Sequence, residues 1–166
     1  MINTEITPFI PPKEPINKEK CAAVTGHRNL KYGVDKEKLS NTLENLIKSG
    51  INTFLIGMAR GFDTYCFYVL YDLKKRYDIK IIACVPCADQ AAKFNETDKE
   101  LYRHFLSVAD DKVLISELYS SACMHKRNRF MVDNCKVLIA YLRENKGGTF
   151  STVNYAKEKN VGIIYV

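Results

Sequence analysis

Short, nearly uninterrupted apolar runs alternate with stretches whose apolar residues recur at helical spacing, and this alternation constrains the chain most. The runs are Cys21 to Thr25, Ile51 to Ile56, Ile79 to Val85, Val113 to Ser116, Val137 to Leu142 and Val161 to Val166. Between them fall Leu39, Leu43, Leu46 and Ile47, then Phe62, Tyr65, Cys66, Val69, Leu70 and Leu73, then Leu101, Phe105, Leu106 and Val108. Runs this short, with little polar interruption, suit strands covered on both faces.

Punctuation supports the same reading. Asp35 is placed to cap the first helix and Gly50 to end it. The second helix is expected from Phe62 to about Tyr77. Thr97 with Glu100 fits a capping box for the third. A fourth is expected from about Ser121 to Asp133 and a last from Thr149 to Lys159. Pro86 is expected to stop the third strand. Strands alternating with helices predict βαβ units. The expected fold is a Rossmann-like α/β three-layer sandwich with a mainly parallel sheet of about six strands.

Residues 1–18 stand apart. They hold Pro8, Pro11, Pro12 and Pro15 among the chain's 5 prolines, and they show no periodicity. They read as an extended, Pro-rich N-terminal arm. Residues 19–166 form the expected single domain, and a chain of 166 residues suits one.

Charge and cysteine usage narrow the function. A net charge of +6 favours phosphate-bearing ligands. No dense Lys/Arg stripe with interleaved aromatics appears, so nucleic acid is not an expected partner. No apolar run approaches the roughly 20 residues that span a membrane. No apolar signal region opens the chain, and a cytoplasmic protein is expected. Cys21, Cys66, Cys84, Cys87, Cys123 and Cys135 lie mostly in apolar stretches and are expected to be reduced. Cys84-Val-Pro-Cys87 is a single C-x-x-C without a second pair, and no metal site is expected.

In open α/β sheets, ligands bind beyond the carboxyl ends of the strands. The first run is followed by Thr25-Gly26-His27-Arg28, and the second by Gly57-Met58-Ala59-Arg60-Gly61-Phe62-Asp63. The third is followed by Pro86 and Gln90, and the fifth by Gly147-Gly148-Thr149. Glycine allows close backbone approach to a ligand. A helix N-terminus offers free N–H groups to phosphate. Arg28, Arg60 and Arg127 are candidates for charge-assisted bonds. Each feature also has a plain structural reading: turn glycines, Thr149 or Asp63 as helix caps, solvated arginines. His104 and His125 read as ordinary helix residues. Neither G-x-G-x-x-G nor a Walker A sequence is present, which disfavours a standard dinucleotide dehydrogenase or P-loop NTPase.

The ordered set Thr25-Gly26-His27-Arg28, Gly57 through Asp63, Pro86 with Gln90, Arg127-Asn128 with Met131-Val132-Asp133, and Gly147-Gly148-Thr149 with Thr152-Val153 and Tyr155-Ala156 resembles the YpsA-like family. That family lies in the SLOG superfamily, beside the Lonely Guy phosphoribohydrolases and the DprA/Smf proteins. The resemblance covers Cys21 to Val166. It implies a Rossmann-like fold that binds nucleotides or nucleotide-derived ligands. Met124-His125-Lys126-Arg127 is similar to the segment carrying the Lonely Guy active-site arginine. The glutamate that follows Gly-Thr in those enzymes is replaced here by Phe150-Ser151-Thr152.

The expectation is therefore a sensor or sequestering module for a nucleoside phosphate or ADP-ribose-like ligand, with no cofactor required. Its ligand residues would be Thr25, Gly26, His27, Arg28, Gly57, Arg60, Gly61, Asp63, Pro86, Gln90, Arg127, Asn128, Gly147, Gly148 and Thr149. The alternative is a nucleotide N-glycosidase that uses Asp63 or His27 in place of the missing glutamate. The resemblance also implies self-association. The 10 tyrosines and 8 phenylalanines could supply a surface for it, or could simply fill the core.

Overall fold

Every strand carries apolar residues at both parities, so every strand needs cover on both faces. The computed structural model, which describes residues 6–166, provides it with one six-stranded, all-parallel sheet between two helical layers. The elements follow in the order β1 (Cys21–Gly26), α1 (Lys36–Lys48), β2 (Thr53–Ile56), α2 (Phe62–Leu73), β3 (Lys80–Cys87), α3 (Glu96–Val108), β4 (Asp111–Ser116), α4 (Cys123–Asp133), β5 (Val137–Tyr141), α5 (Gly147–Glu158) and β6 (Gly162–Tyr165). A 3₁₀ turn, Lys18–Lys20, leads into β1.

The strand order is β4-β3-β2-β1-β5-β6. The chain first walks outward from β1 to β4, then returns to lay β5 against the other side of β1. Because crossovers keep one hand, reversing direction moves the helices to the opposite face. The two cores reflect this. Ala22, Val24, Phe54, Ile56, Ile81 and Ala83 point to α1, α2 and α3, where Leu39, Leu43, Phe62, Phe67 and Phe105 meet them. Cys21, Ala23, Leu55, Ile82 and Cys84 point the other way, toward Phe130, Met131, Val153 and Ala156 of α4 and α5. The reversal leaves a crevice between the ends of β1 and β5.

Several local expectations change. Pro86 lies inside β3 rather than ending it. β2 stops at Ile56, opposite Ala83, and the β3–β4 register passes from Val85↔Leu114 to Cys87↔Ser116 without using Pro86. The missing N–H therefore costs no ladder bond. Helix α3 is capped by Asn95, whose side chain accepts from the Asp98 N–H at 2.8 Å, and Thr97 with Glu100 falls inside the first turns. Helix α2 ends at Leu73, four residues before Tyr77, where the backbone tightens into turns. Asp35 caps α1 through the Lys38 N–H at 2.9 Å.

The described part of the arm runs along the outer edge of β4. Ile10 and Leu114 form an antiparallel bridge with reciprocal N–H···O bonds, both 2.9 Å. The Phe9 N–H donates to the Ile115 carbonyl at 3.3 Å, and the Lys13 N–H donates to Asp111 Oδ2 at 2.9 Å. Ile6 and Ile16 pack against the α4/α5-side core. Unpaired strand edges template association, and this segment covers one. Replacing Ile10 with proline removes the donor to Leu114. The Leu114 amide, protected by the Ile10 carbonyl, should then exchange hydrogen markedly faster, while global stability falls by about 1 kcal/mol or less. Hydrogen-exchange mass spectrometry checks this, and unchanged Leu114 protection would refute the docked arm.

Candidate functional site

The crevice at the β1/β5 reversal opens into a cleft of about 490 Å³. Its walls come from Thr25 and Gly26 at the end of β1, His27 and Arg28 beyond it, Gly57 and Asp63, Arg127 and Asn128 on α4, and Gly148 and Thr149 on α5. Ten of the residues expected from the sequence therefore share one cavity. Arg60 and Gln90 instead line a second cavity, of about 400 Å³, that shares Arg28, Ala59 and Met124 with the first. Gly61, Pro86 and Gly147 line neither. Gly61 has φ of 84°, and a Cβ there would overlap the Arg28 carbonyl. Its role is to let the two loops pass.

The helix N-termini differ in a telling way. Helices α1 and α3 are capped by Asp35 and Asn95 side chains. Helices α2, α4 and α5 have Gly61, Ala122 and Lys146 at the cap position, and none makes a side-chain cap bond. These last three supply Asp63, Arg127, Gly148 and Thr149 to the cleft. Gly147, Gly148 and Thr149 are the first three residues of α5, so Thr149 is not its cap. Uncapped first-turn N–H groups carry the positive end of the helix dipole and suit an anion. A Cβ built on Gly148 meets nothing within 4 Å, so this stretch faces open space.

Arg127 forms the floor. It is 5% exposed, and its Nη1 donates to the Gly57 carbonyl and, at 3.5 Å, to that of Cys84. Its Nε donates to Asn128 Oδ1 at 2.7 Å. The Gly57 carbonyl also accepts from Gln90 Nε2 at 3.1 Å, and Gln90 Oε1 in turn accepts from the Tyr102 hydroxyl at 3.0 Å. Gln90 and much of Arg127 are therefore spent on holding the β2–α2 loop. That loop is bent by Met58, a non-glycine residue with φ of 64°. The bend turns the Ala59 N–H onto Asp63 Oδ2 at 3.0 Å. Asp63 caps nothing. Burial pushes its carboxyl up to about 6, against the opposing pull of Arg127, the Ala59 N–H and Arg28. Burial likewise lowers the pKa of Arg127, with Asp63 acting against it.

His27 is fixed by a different set. Its Nε2 accepts from the Arg143 N–H at 2.8 Å, which requires that nitrogen to be unprotonated. Desolvation, the largest cause, lowers its pKa. The ring meets Tyr141 edge-on at 5.9 Å, and the Tyr141 hydroxyl donates to the Gly33 carbonyl at 2.9 Å. Tyr141 thereby ties the β1–α1 loop to β5.

Lys31, Tyr32, Glu144 and Lys146 also line the cleft, and sequence reasoning missed them. Lys31 Nζ and Glu144 Oε1 are 2.9 Å apart, joining the loops on either side of the mouth. No periodicity or glycine marked these loop residues. Their nearness to strand ends was the available signal. The C-x-x-C pair forms no disulfide: both thiols are free and buried, and burial above all pushes that of Cys87 up to about 12. Among the described residues, all six cysteines are free and no His/Cys/Asp/Glu cluster could hold a metal. No described helix is long and apolar enough to cross a membrane.

Two measurements test this floor. A Cβ on Gly57 would lie 2.6 Å from Arg127 Nη1, so Gly57→Ala should destabilise the fold by about 1–3 kcal/mol in chemical denaturation. For Asp63, the native pKa of about 6 lies above the ordinary 3.8, so the native state binds more protons between those values. Its contribution to stability is present below 3.8 and is lost as pH rises through about 6. Asp63→Asn keeps an acceptor for Ala59 and removes the titration. The melting temperature of the wild type, minus that of Asp63→Asn, should fall across this window and level off above it.

Comparison with known proteins agrees with this fold. The model described as the "YspA SLOG family" matches residues 22–163. The SPbeta prophage-derived protein YoqJ of Bacillus subtilis is 32% identical over 141 residues, covering 76% of this chain and 82% of that protein. A UPF0398 protein of Bacillus pumilus is 29% identical over 134 residues, covering 73% and 72%. The structure of DNA processing protein A (DprA) from Streptococcus pneumoniae matches with a TM-score of 0.65 at 18% identity, over 89% of this chain and 50% of that one. DNA processing protein A from Helicobacter pylori, described for its single-stranded DNA binding mode, gives 0.67 at 17% identity, over 89% and 65%. This chain thus spans less than two thirds of either DprA chain, and at such identity the likeness is one of fold. With the family model matched along most of its length, the chain belongs to the YpsA family of SLOG proteins.

Proposed function

We propose that this protein binds a nucleotide or nucleotide-derived ligand in the cleft between β1 and β5, as a sensor or a sequestering module. The observation that carries the reading is the uncapped, glycine-lined N-terminus of α5 opening into a cavity that also holds Thr25, Gly26 and Arg28. A phosphate would accept from the first-turn N–H groups of α5 and from the Thr149 hydroxyl. Arg28, exposed at the rim, would add a charge-assisted bond, and the buried Arg127 would supply a positive floor. No cofactor is needed for this role.

Retention of the ligand is favoured over its cleavage. Asp63, the acidic residue nearest the floor, has one oxygen committed to the Ala59 N–H and faces Arg127. His27 has Nε2 committed to Arg143. Ser151 is exposed, and the Thr152 hydroxyl donates to the Gly148 carbonyl at 2.7 Å, so the segment after Gly148-Thr149 presents hydroxyls rather than a carboxylate.

A thermal-shift titration with AMP, ADP and ADP-ribose should raise the melting temperature with dose, and mass spectrometry should recover the ligand intact. Gly148→Leu places a side chain in the cleft without meeting protein atoms at its Cβ. Its own melting temperature should match the wild type or exceed it, since glycine weakens helices. Its ligand-induced shift should vanish. A full shift in that variant would refute the site, and free base among the products would make the protein an N-glycosidase.

A further inference from the structure

The second cavity is built unlike the first. It lies beyond the shared wall of Arg28, Ala59 and Met124, and it adds Arg60, Asp89, Gln90, Ala92, Lys93, Phe94 and Tyr119. Three cations therefore face one carboxylate there. The Arg60 guanidinium is stacked over Phe94, 4.9 Å from the ring centroid, which fixes its plane at the wall. Its nearest carboxylate, on Asp98, is 3.9 Å away, so most of its hydrogen-bonding capacity is unspent. Tyr119 lines the same cavity and is 64% exposed, on the segment between β4 and α4. An exposed ring beside unsaturated cations matches the chemistry of a base carried next to a phosphate.

We propose that this cavity is a second nucleoside subsite, so that the ligand is a dinucleotide: two nucleoside units joined through phosphate. This rests on the nucleotide reading of the first cleft and extends it. Arg28, common to both cavities, lies where the linking phosphates would cross. One nucleoside and its phosphate occupy the cleft at α5, and the second base stacks on Tyr119 with Arg60 and Lys93 beside it. The two adjoining volumes suit this, because cavities of about 490 and 400 Å³ together exceed what a mononucleotide fills.

Isothermal titration of the full chain with AMP, NAD, diadenosine pyrophosphate and a short oligo-dA tests the assignment. The dinucleotides should bind at least tenfold more tightly than AMP. Tyr119→Ala, a change at an exposed side chain, should abolish that gain and leave AMP affinity unchanged. AMP binding with no dinucleotide gain, or a Tyr119→Ala loss shared equally by AMP, overturns the second subsite alone. Tighter binding of oligo-dA than of either dinucleotide overturns it in favour of a single-stranded nucleic acid. Absence of binding by AMP and both dinucleotides overturns this proposal and the nucleotide reading together.

Discussion

A guanidinium almost removed from water must be surrounded by acceptors, and meeting that demand at Arg127 organises the rest of the site. Its partners come from just past the end of β2, from the middle of β3, from its own helix, and electrostatically from Asp63 on α2. Each partner is a backbone carbonyl or a short side chain, so none can follow the arginine if it moves. Burying such a charge without acceptors would cost several kcal/mol. Gly57 must lack a side chain, Gln90 must brace its carbonyl, and Met58 must accept a left-handed backbone, all so that one charge can sit beneath the cleft. The cationic floor is thereby fixed by the fold itself, the arrangement that spares a binding site reorganisation.

The sheet topology decides where that floor is useful. The reversal between β1 and β5 separates the loops that elsewhere would close over the strand ends. Helices with capping side chains satisfy their own first turn. Those around the cleft lack capping side chains, and α2 and α4 give their first N–H groups to the His27 and Ser120 carbonyls instead. The difference between Asp35 and Lys146 at equivalent cap positions thus divides the helices that build the fold from those that address the cavity.

Much of this was legible in the sequence, and the reasons for the rest are physical. Apolar runs at both parities suit strands covered on both faces, and the six expected strands are all present. Glycine at strand ends pointed to the cleft because it removes bulk wherever the site lies. The direction a side chain takes was not legible. Arg127 and Gln90, expected as ligand residues, each line a cavity and also donate to the Gly57 carbonyl, an acceptor that only the assembled fold brings near. By its local habit Pro86 is a terminator, whereas its place past the end of β2 removes the cost. Thr97 with Glu100 fits the capping pattern as well as Asn95 with Asp98 does, and nothing local chooses between them. Lys31 and Glu144 meet across more than a hundred residues of chain, a pairing no window along the sequence reveals.

The arm along β4 gives the sheet unequal sides. Among the described residues, β6 carries no strand on its far side, whereas β4 is covered at Ile10. A slab with two open edges can add copies without end, each new one offering a fresh edge, and so grows into a fibre. A slab with one open edge can join one other and is then complete. A stretch of proline-rich chain, docked by a single bridge, thus leaves the sheet one uncovered edge among the described residues, at β6.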